Sequence, residues 1–200
     1  MQTELEAKFL NVDHDTVRAT LRAMGAVCEQ PMRTMTRKGF DFPDSRLRHD
    51  RNGWVRVRDE GDKVTMSYKQ LDDRTLEGTK EVCLTVDSFE QAEAFLHALG
   101  LQHNNYMTTK RESWRLGHVE IELDEWPWTK PYVEIEAATE AELQDVAAQL
   151  GLDWSKVLHG SVEVVYMAEY DITEDEFNSW PEITFTPVPE WLAAKRKADA

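Results

Sequence analysis

Two short patterns in the sequence set charged side chains at alternate positions. Glu4 and Glu6 precede Lys8 near the N-terminus, and Glu134 and Glu136 repeat the Glu-x-Glu spacing later, after Asp124. Arg56 and Arg58 carry the same spacing in basic residues, followed by Lys69, Lys80 and Arg111. On an extended strand residues i and i+2 share a face, so each pattern sets like charges side by side. Carboxylates gathered on one surface repel one another. A hard divalent cation bound by oxygens relieves that repulsion, and Mg²⁺ or Mn²⁺ suits such ligands. Arg forks match phosphate oxygens, and Lys supplies a point charge. Cations and metal-binding carboxylates in one cavity are the chemistry of a polyphosphate ligand. The chain has no G-x-x-x-x-G-K-[ST], so side chains rather than a P-loop must hold it.

The elements that must position these residues are legible in the alternation. Strands are predicted over about 3–10, 33–42, 53–59, 63–71, 79–86, 106–114, 118–124 and 131–137. Glu60-Gly61-Asp62 and Leu116-Gly117 have the composition of hairpin turns. Amphipathic helices are predicted at 13–25, 88–100 and 139–151, N-capped by Asp13, Ser88 and Thr139 and each ending in glycine. Their apolar stripes are Val17, Leu21 and Met24, then Ala92, Phe95, Leu96 and Leu99, then Leu143, Val146, Ala147 and Leu150. Eight strands in mostly hairpin order imply an α+β fold built on an antiparallel sheet or closed barrel.

The helices need an apolar sheet face, which Ala7, Phe9, Val55, Val57, Ile121, Leu123, Val133 and Ile135 supply. The charged face is then turned away from the helices. In an open sheet it is simply wet. In a sheet closed with helices outside it lines the interior, which is costly unless ligands or metals balance the charges.

Composition narrows the partners. The 200 residues carry a formal net charge of −15, which disfavours non-specific nucleic-acid binding. Residues 33–80 nevertheless hold 12 Lys and Arg against 9 Asp and Glu, a basic middle in an acidic chain. No stretch approaches the ~20 apolar residues of a membrane span, and the N-terminus does not resemble a signal peptide. Two cysteines make no disulfide framework, so a cytoplasmic protein with reduced thiols is expected. None of the six histidines pairs at H-x-x-x-H spacing, which disfavours a His-based zinc site. No serine sits in a nucleophile elbow. One domain is expected over 1–180, followed by a proline-interrupted segment over 181–200 whose last residues fray. Trp126 and Trp128 are placed to shape a cavity mouth, and Tyr166 and Tyr170 are expected in the core.

Glu4-Leu5-Glu6-Ala7-Lys8 resembles the E-x-E-x-K signature of the CYTH, or triphosphate tunnel metalloenzyme, superfamily. Compatible blocks follow in order: Arg56-Val57-Arg58, Tyr68-Lys69, Lys80-Glu81, Lys110-Arg111 with Trp114, Leu123-Asp124-Glu125, and Tyr132-Val133-Glu134-Ile135-Glu136. The resemblance spans about residues 2–170. It implies an eight-stranded antiparallel closed β-tunnel with helices packed outside. It implies a catalytic set of Glu4, Glu6 and Lys8. Lys8, Arg56, Arg58, Lys69, Lys80 and Arg111 would grip a triphosphate, and Glu4, Glu6, Asp124, Glu134 and Glu136 would hold Mg²⁺ or Mn²⁺. Of the adjacent bases Lys110 and Arg111, only one can face inward on a regular strand, and Arg111 is favoured. Glu120 and Glu122 share the face of Asp124 but are not marked by the family motif.

The function expected is a metal-dependent triphosphatase acting on inorganic triphosphate, a nucleoside triphosphate or thiamine triphosphate. Alternatives are a class IV-type adenylyl cyclase, which makes cAMP and pyrophosphate from ATP, and a non-catalytic polyphosphate- or nucleotide-binding module. The expected partner is a small-molecule triphosphate, with neither nucleic acid nor membrane, bound by a monomer or homodimer.

Overall fold

Alternating apolar and charged residues produce one curled antiparallel sheet. The computed structural model describes residues 1–198, apart from the side chains of residues 2–4. Its strands are β1 (Gln2–Leu10), β2 (Val27–Asp41), β3 (Gly53–Asp59), β4 (Val64–Leu71), β5 (Thr79–Val86), β6 (Gln102–Leu116), β7 (Val119–Glu125), β8 (Tyr132–Ala137) and the short β9 (Glu182–Ile183). The helices are α1 (His14–Ala23), α2 (Arg46–Arg51), α3 (Phe89–Ala98), α4 (Glu140–Gln149), α5 (Glu163–Glu169), α6 (Glu174–Asn178) and α7 (Glu190–Ala193). The fold is α+β. Eight strands run antiparallel in the order β2-β3-β4-β5-β1-β8-β7-β6, and β9 joins β6 in parallel. β2 and β6, at opposite ends of that order, also pair with each other, from Val27↔Arg115 to Asp41↔Gln102.

Both of these strands are 15 residues long and exceed the segments predicted from alternation. The pairing shifts register between Cys28 and Gln30 and again between Gln30 and Arg33. Each shift breaks the period of two, so the first part of β2 carries no clean signal.

The helices coat the apolar face. Asp13, Ser88 and Thr139 each accept a hydrogen bond from the backbone N–H three residues on, at 2.7, 3.2 and 3.3 Å. Gly25 (φ 79°) and Gly151 (φ 73°) turn the chain out of α1 and α4 in the left-handed conformation. Val17 and Leu21 of α1, with Leu143, Val146 and Ala147 of α4, pack on Ala7, Phe9, Ile121, Leu123, Val133 and Ile135. Each large side chain buried there contributes about 1.5–3 kcal/mol relative to exposure.

α3 departs from its predicted stripe. Ala92 and Leu96 are buried against Phe40 and Val57, whereas Phe95 and Leu99 are exposed. The face defined by Phe89, Ala92 and Leu96 meets the sheet, and Phe95 and Leu99 lie off that face.

A third cluster joins Met107, Trp126 and Tyr132 to Val165, Tyr166, Tyr170, Phe177, Trp180, Ile183 and Leu192. Tyr166 and Tyr170 are fully buried and donate hydrogen bonds to the carbonyls of Pro127 and Trp128. The last described residues are docked rather than frayed. Asp171 N–H donates to Lys195 O, Lys197 N–H donates to Glu169 O at 2.9 Å, and Arg196 pairs with Glu169 at 2.6 Å. Asp199 and Ala200 lie outside the described residues. No helix among the described residues is long and apolar enough to cross a membrane.

Candidate functional site

The concave face of the sheet encloses a cavity of about 590 Å³ lined mainly by charged side chains. Strand register arranges them in rows. Glu6 of β1 faces Glu136 of β8, which faces Glu120 of β7, so three carboxylates lie abreast. In the next row Lys8 faces Glu134, which faces Glu122. One step further, Arg111 of β6 faces Asp124.

The second row is tied by a buried cation. Lys8 Nζ lies 2.9 Å from Glu6 Oε1 and 3.0 Å from Glu134 Oε2. Burial opposes the Lys8 charge, but Glu134 and Glu6 outweigh it and hold the ammonium above its usual range. Burial likewise opposes ionisation of Glu134, yet Lys8, Arg111 and Lys69 hold its carboxyl well below the ordinary carboxylate range. Arg111 donates to both Asp124 oxygens and reaches Glu134 Oε1 at 3.2 Å.

In the first row Glu6 shares Lys8 with Glu134 and Glu120 pairs with Arg115 at 2.8 Å, whereas among the described residues Glu136 has no ion-pair partner. Burial pushes Glu136 up to about 7, with Glu134, Glu120 and Glu6 adding repulsion. Burial also pushes Glu122 up to about 7, against the opposing pull of Arg111, and its Oε2 is buried without a hydrogen-bond partner. An oxygen-only donor set with excess negative charge and an orphaned buried oxygen suits a hard divalent cation.

The opposite side of the cavity is basic. Arg56 and Lys69 share Glu81 at 3.2 and 3.3 Å. Arg58 donates to Glu60 Oε1 at 2.6 and 2.9 Å, and Thr65 donates to the same oxygen at 3.0 Å. Burial works against the Glu60 charge, but Arg58 and its hydrogen bonds keep the carboxyl below its ordinary value.

Of the side chains singled out from sequence, Glu6, Lys8, Arg56, Arg58, Lys69, Arg111, Glu134 and Glu136 line this cavity. The side chain of Glu4 lies outside the described residues. The structure places two others outside the cavity lining. Lys80 faces away from the cavity and pairs with Asp72, and its neighbour Glu81 turns inward. The period of two allows only one of an adjacent pair inside, and Glu81 stands opposite Lys69 in the register. Asp124 is completely buried beneath Arg111, which it anchors, and is not among the residues lining the cavity. Glu120 and Glu122, which the motif did not mark, both line the cavity.

Sequence reasoning missed Arg33, Arg37, Glu60 and Glu163. Arg33 and Arg37 share parity on β2, a signal available in the strand once its faces are assigned. Glu60 sits at a hairpin, and Glu163, only 5% exposed with one unpartnered oxygen, comes from α5. No strand period could place either. Trp126 is buried against the cavity, whereas Trp128 bonds through Nε1 to Thr186 O at 3.0 Å. Lys110 lies outside with Glu125 at 3.2 Å.

Three further ligand-type side chains converge away from the cavity. Glu93 Oε1 lies 3.6 Å from His97 Nε2 and 3.7 Å from His103 Nδ1, and Lys38 already occupies that oxygen at 2.6 Å.

Comparison with known proteins bears on this arrangement. The PH1012 protein from Pyrococcus horikoshii OT3 is similar in structure at a TM-score of 0.63 and 23% identity, over 77% of this chain and 93% of that one. A candidate adenylate cyclase from Vibrio parahaemolyticus aligns at a TM-score of 0.69 and 15% identity, over 83% and 98% of the two chains. The candidate adenylyl cyclase HpAC1 from Hippeastrum, described as having a dominant triphosphatase activity, aligns at 0.58 and 15% identity, over 82% and 95%. No curated protein matches the sequence. These likenesses establish a shared fold. A family model, the CYTH domain, matches residues 2–164, a span that takes in every strand lining the cavity, and the chain accordingly belongs to the CYTH domain family.

Proposed function

We propose that the protein is a metal-dependent hydrolase that releases phosphate from a triphosphate held in the charged cavity. The observation that carries this reading is the division of one cavity into a carboxylate wall on β1, β7 and β8 and a guanidinium-rich wall on β2 and β3. In this reading the pairing of β2 with β6 makes the curled sheet a closed tunnel, and closure keeps these charges in a dry, preorganised setting.

Arg56, Arg58, Lys69 and Arg111 grip phosphate oxygens, and Lys8 shares its N–H groups between Glu6, Glu134 and the phosphate. Glu6, Glu134 and Glu136, with Glu4, hold the divalent cation, Mg²⁺ or Mn²⁺. Bound there, the cation supplies neutralisation of phosphate charge and makes water a better nucleophile. Water oxygen bonds to the terminal phosphorus, the bridging P–O bond breaks, and its electron pair leaves with the diphosphate portion; one water proton stays on the released orthophosphate and the other passes to the leaving oxygen or to bulk water. The protein's own part is positioning and electrostatics.

Hydrolysis is favoured over cyclisation because it needs only a water in line with the terminal phosphorus. A cyclase must also fix a base and sugar so that a ribose hydroxyl faces the α-phosphorus. The dominant triphosphatase activity in the description of HpAC1 supports the same choice. The test is ³¹P NMR of the protein with tripolyphosphate, ATP and thiamine triphosphate, each with Mg²⁺ or Mn²⁺. Orthophosphate release is the expected result. Cyclic AMP and pyrophosphate from ATP would make it a cyclase, and binding without turnover would make it a sensor.

A further inference from the structure

Arg37 differs from every other cation lining the cavity. Lys8, Arg33, Arg48, Arg56, Arg58, Lys63, Lys69, Arg111 and Arg115 each have a carboxylate partner within 4.0 Å. Among the described residues Arg37 has none. It is 7% exposed, donates one bond from Nη2 to Thr109 Oγ1 at 2.7 Å, and leaves Nε buried without a partner. Its guanidinium carbon stands 4.7 Å from the ring centroid of Trp126.

Its surroundings add to the cost. Arg37 of β2 is directly opposite Arg58 of β3 in the register, and like charges so placed destabilise a sheet. Burial and the nearby Arg58, Arg56 and Arg111 disfavour its charge and outweigh the more weakly felt Asp124. A guanidinium does not escape by losing its proton. A buried donor left unmade and a buried charge left unpaired are both unfavourable. Such a group is tolerated where an anion completes it.

We propose that Arg37, with the facing Arg58, forms a phosphoryl-binding subsite that the ligand's own phosphate completes. The inference rests on the triphosphate reading above and adds to it a binding residue that no sequence motif marked. One phosphoryl group between the two guanidiniums accepts from the free Nε–H and screens their repulsion. Trp126 covers one side of the guanidinium and Thr109 takes Nη2, while Arg37 itself lines the cavity. The same chemistry serves inorganic and organic triphosphates, because the subsite reads phosphate oxygens alone.

The test is calorimetric titration with tripolyphosphate in the presence of chelator, which prevents turnover, together with thermal melts. Arg37→Met is expected to weaken tripolyphosphate binding about 10- to 100-fold, the size of a charge-assisted contact. Its ligand-free melting temperature is expected to equal or exceed that of the wild type, since an unpaired buried cation has been removed. Arg37→Lys, which keeps the charge and loses the fork, should fall between the two in affinity. The double variant with Arg58→Met should lose less than the product of the single losses, because both residues hold one group. Equal affinity in wild type and Arg37→Met overturns the inference and leaves the triphosphate reading standing. An Arg37→Met protein that is destabilised or unfolded without ligand also overturns it, because Arg37 would then be a structural residue. A wild type that binds no tripolyphosphate overturns both. An adenosine triphosphate arm separates the ligand sources: a comparable loss for ATP is expected, and a loss confined to one ligand contradicts a subsite that reads phosphate alone.

Discussion

Cations on the two sides of the cavity are answered in different ways. On the β1, β8 and β7 side Lys8 is clamped between Glu6 and Glu134, and Arg111 between Asp124 and Glu134. On the β2 and β3 side Arg37 faces Arg58, and among the described residues it has no carboxylate of its own. Lys8 and Arg111 are answered by carboxylates of their own neighbourhood and are costly to disturb even with no ligand bound. Arg37, unlike its neighbours Arg56 and Arg58, is completed only from outside. A buried ion pair stabilises little against an apolar alternative, but breaking one partner away leaves an uncompensated charge. The difference shows that a binding cavity needs both: a self-paired part to hold geometry, and an under-paired part to hold the guest.

Lys8→Met disturbs the paired charges most severely, since it leaves the buried Glu6 and Glu134 carboxylates without the cation they share. We expect a loss of about 3–5 kcal/mol in urea unfolding of the ligand-free protein. A loss under ~1 kcal/mol would mean that the pairs are loose and solvated, and the contrast with Arg37 would fail.

The next effect is on affinity. Arg58→Ala should weaken tripolyphosphate binding by about 1.5–3 kcal/mol. Lys63→Ala, at a half-exposed residue 3.8 Å from Glu60, should cost no more than ~1 kcal/mol. Calorimetry returning equal losses would remove Arg58 from the ligand's grip.

A pH effect sharpens the comparison from the acidic side. Glu122 and Glu136 are raised from 4.5 to about 7, so the folded protein keeps protons that the unfolded chain releases near 4.5. Stability therefore falls as pH rises from about 4.5 to 7. Melts in chelator across this window should show a declining melting temperature, and Glu136→Gln should flatten part of the decline. A melting temperature that climbs with pH instead would place both carboxyls in solvent.

The smallest effect is expected outside the cavity. Lys80→Ala removes a half-exposed partner of Asp72 and should leave tripolyphosphate affinity unchanged within about twofold. A loss as large as that of Arg58→Ala would return Lys80 to the interior.

What the sequence determined by itself was everything that depends on period. Alternation in Glu4-Leu5-Glu6-Ala7-Lys8, Arg56-Val57-Arg58 and Glu134-Ile135-Glu136 separates a charged face from an apolar one. Capping residues and terminal glycines bound three helices, because those signals act within a few residues. Parity alone could also have placed Arg37 beside Arg33 and excluded Lys80 once Glu81 was inside. Tertiary structure decided the rest. The register between strands far apart in sequence sets Glu6, Glu136 and Glu120 abreast and hides Asp124 under Arg111. Chain return through α5 brings Glu163 to the cavity, and the hairpin after β3 turns Glu60 onto Arg58. Whether a charge is answered or left waiting depends on which groups lie within about 4 Å of it, and that distance is set by the register and return of the chain rather than by its local order.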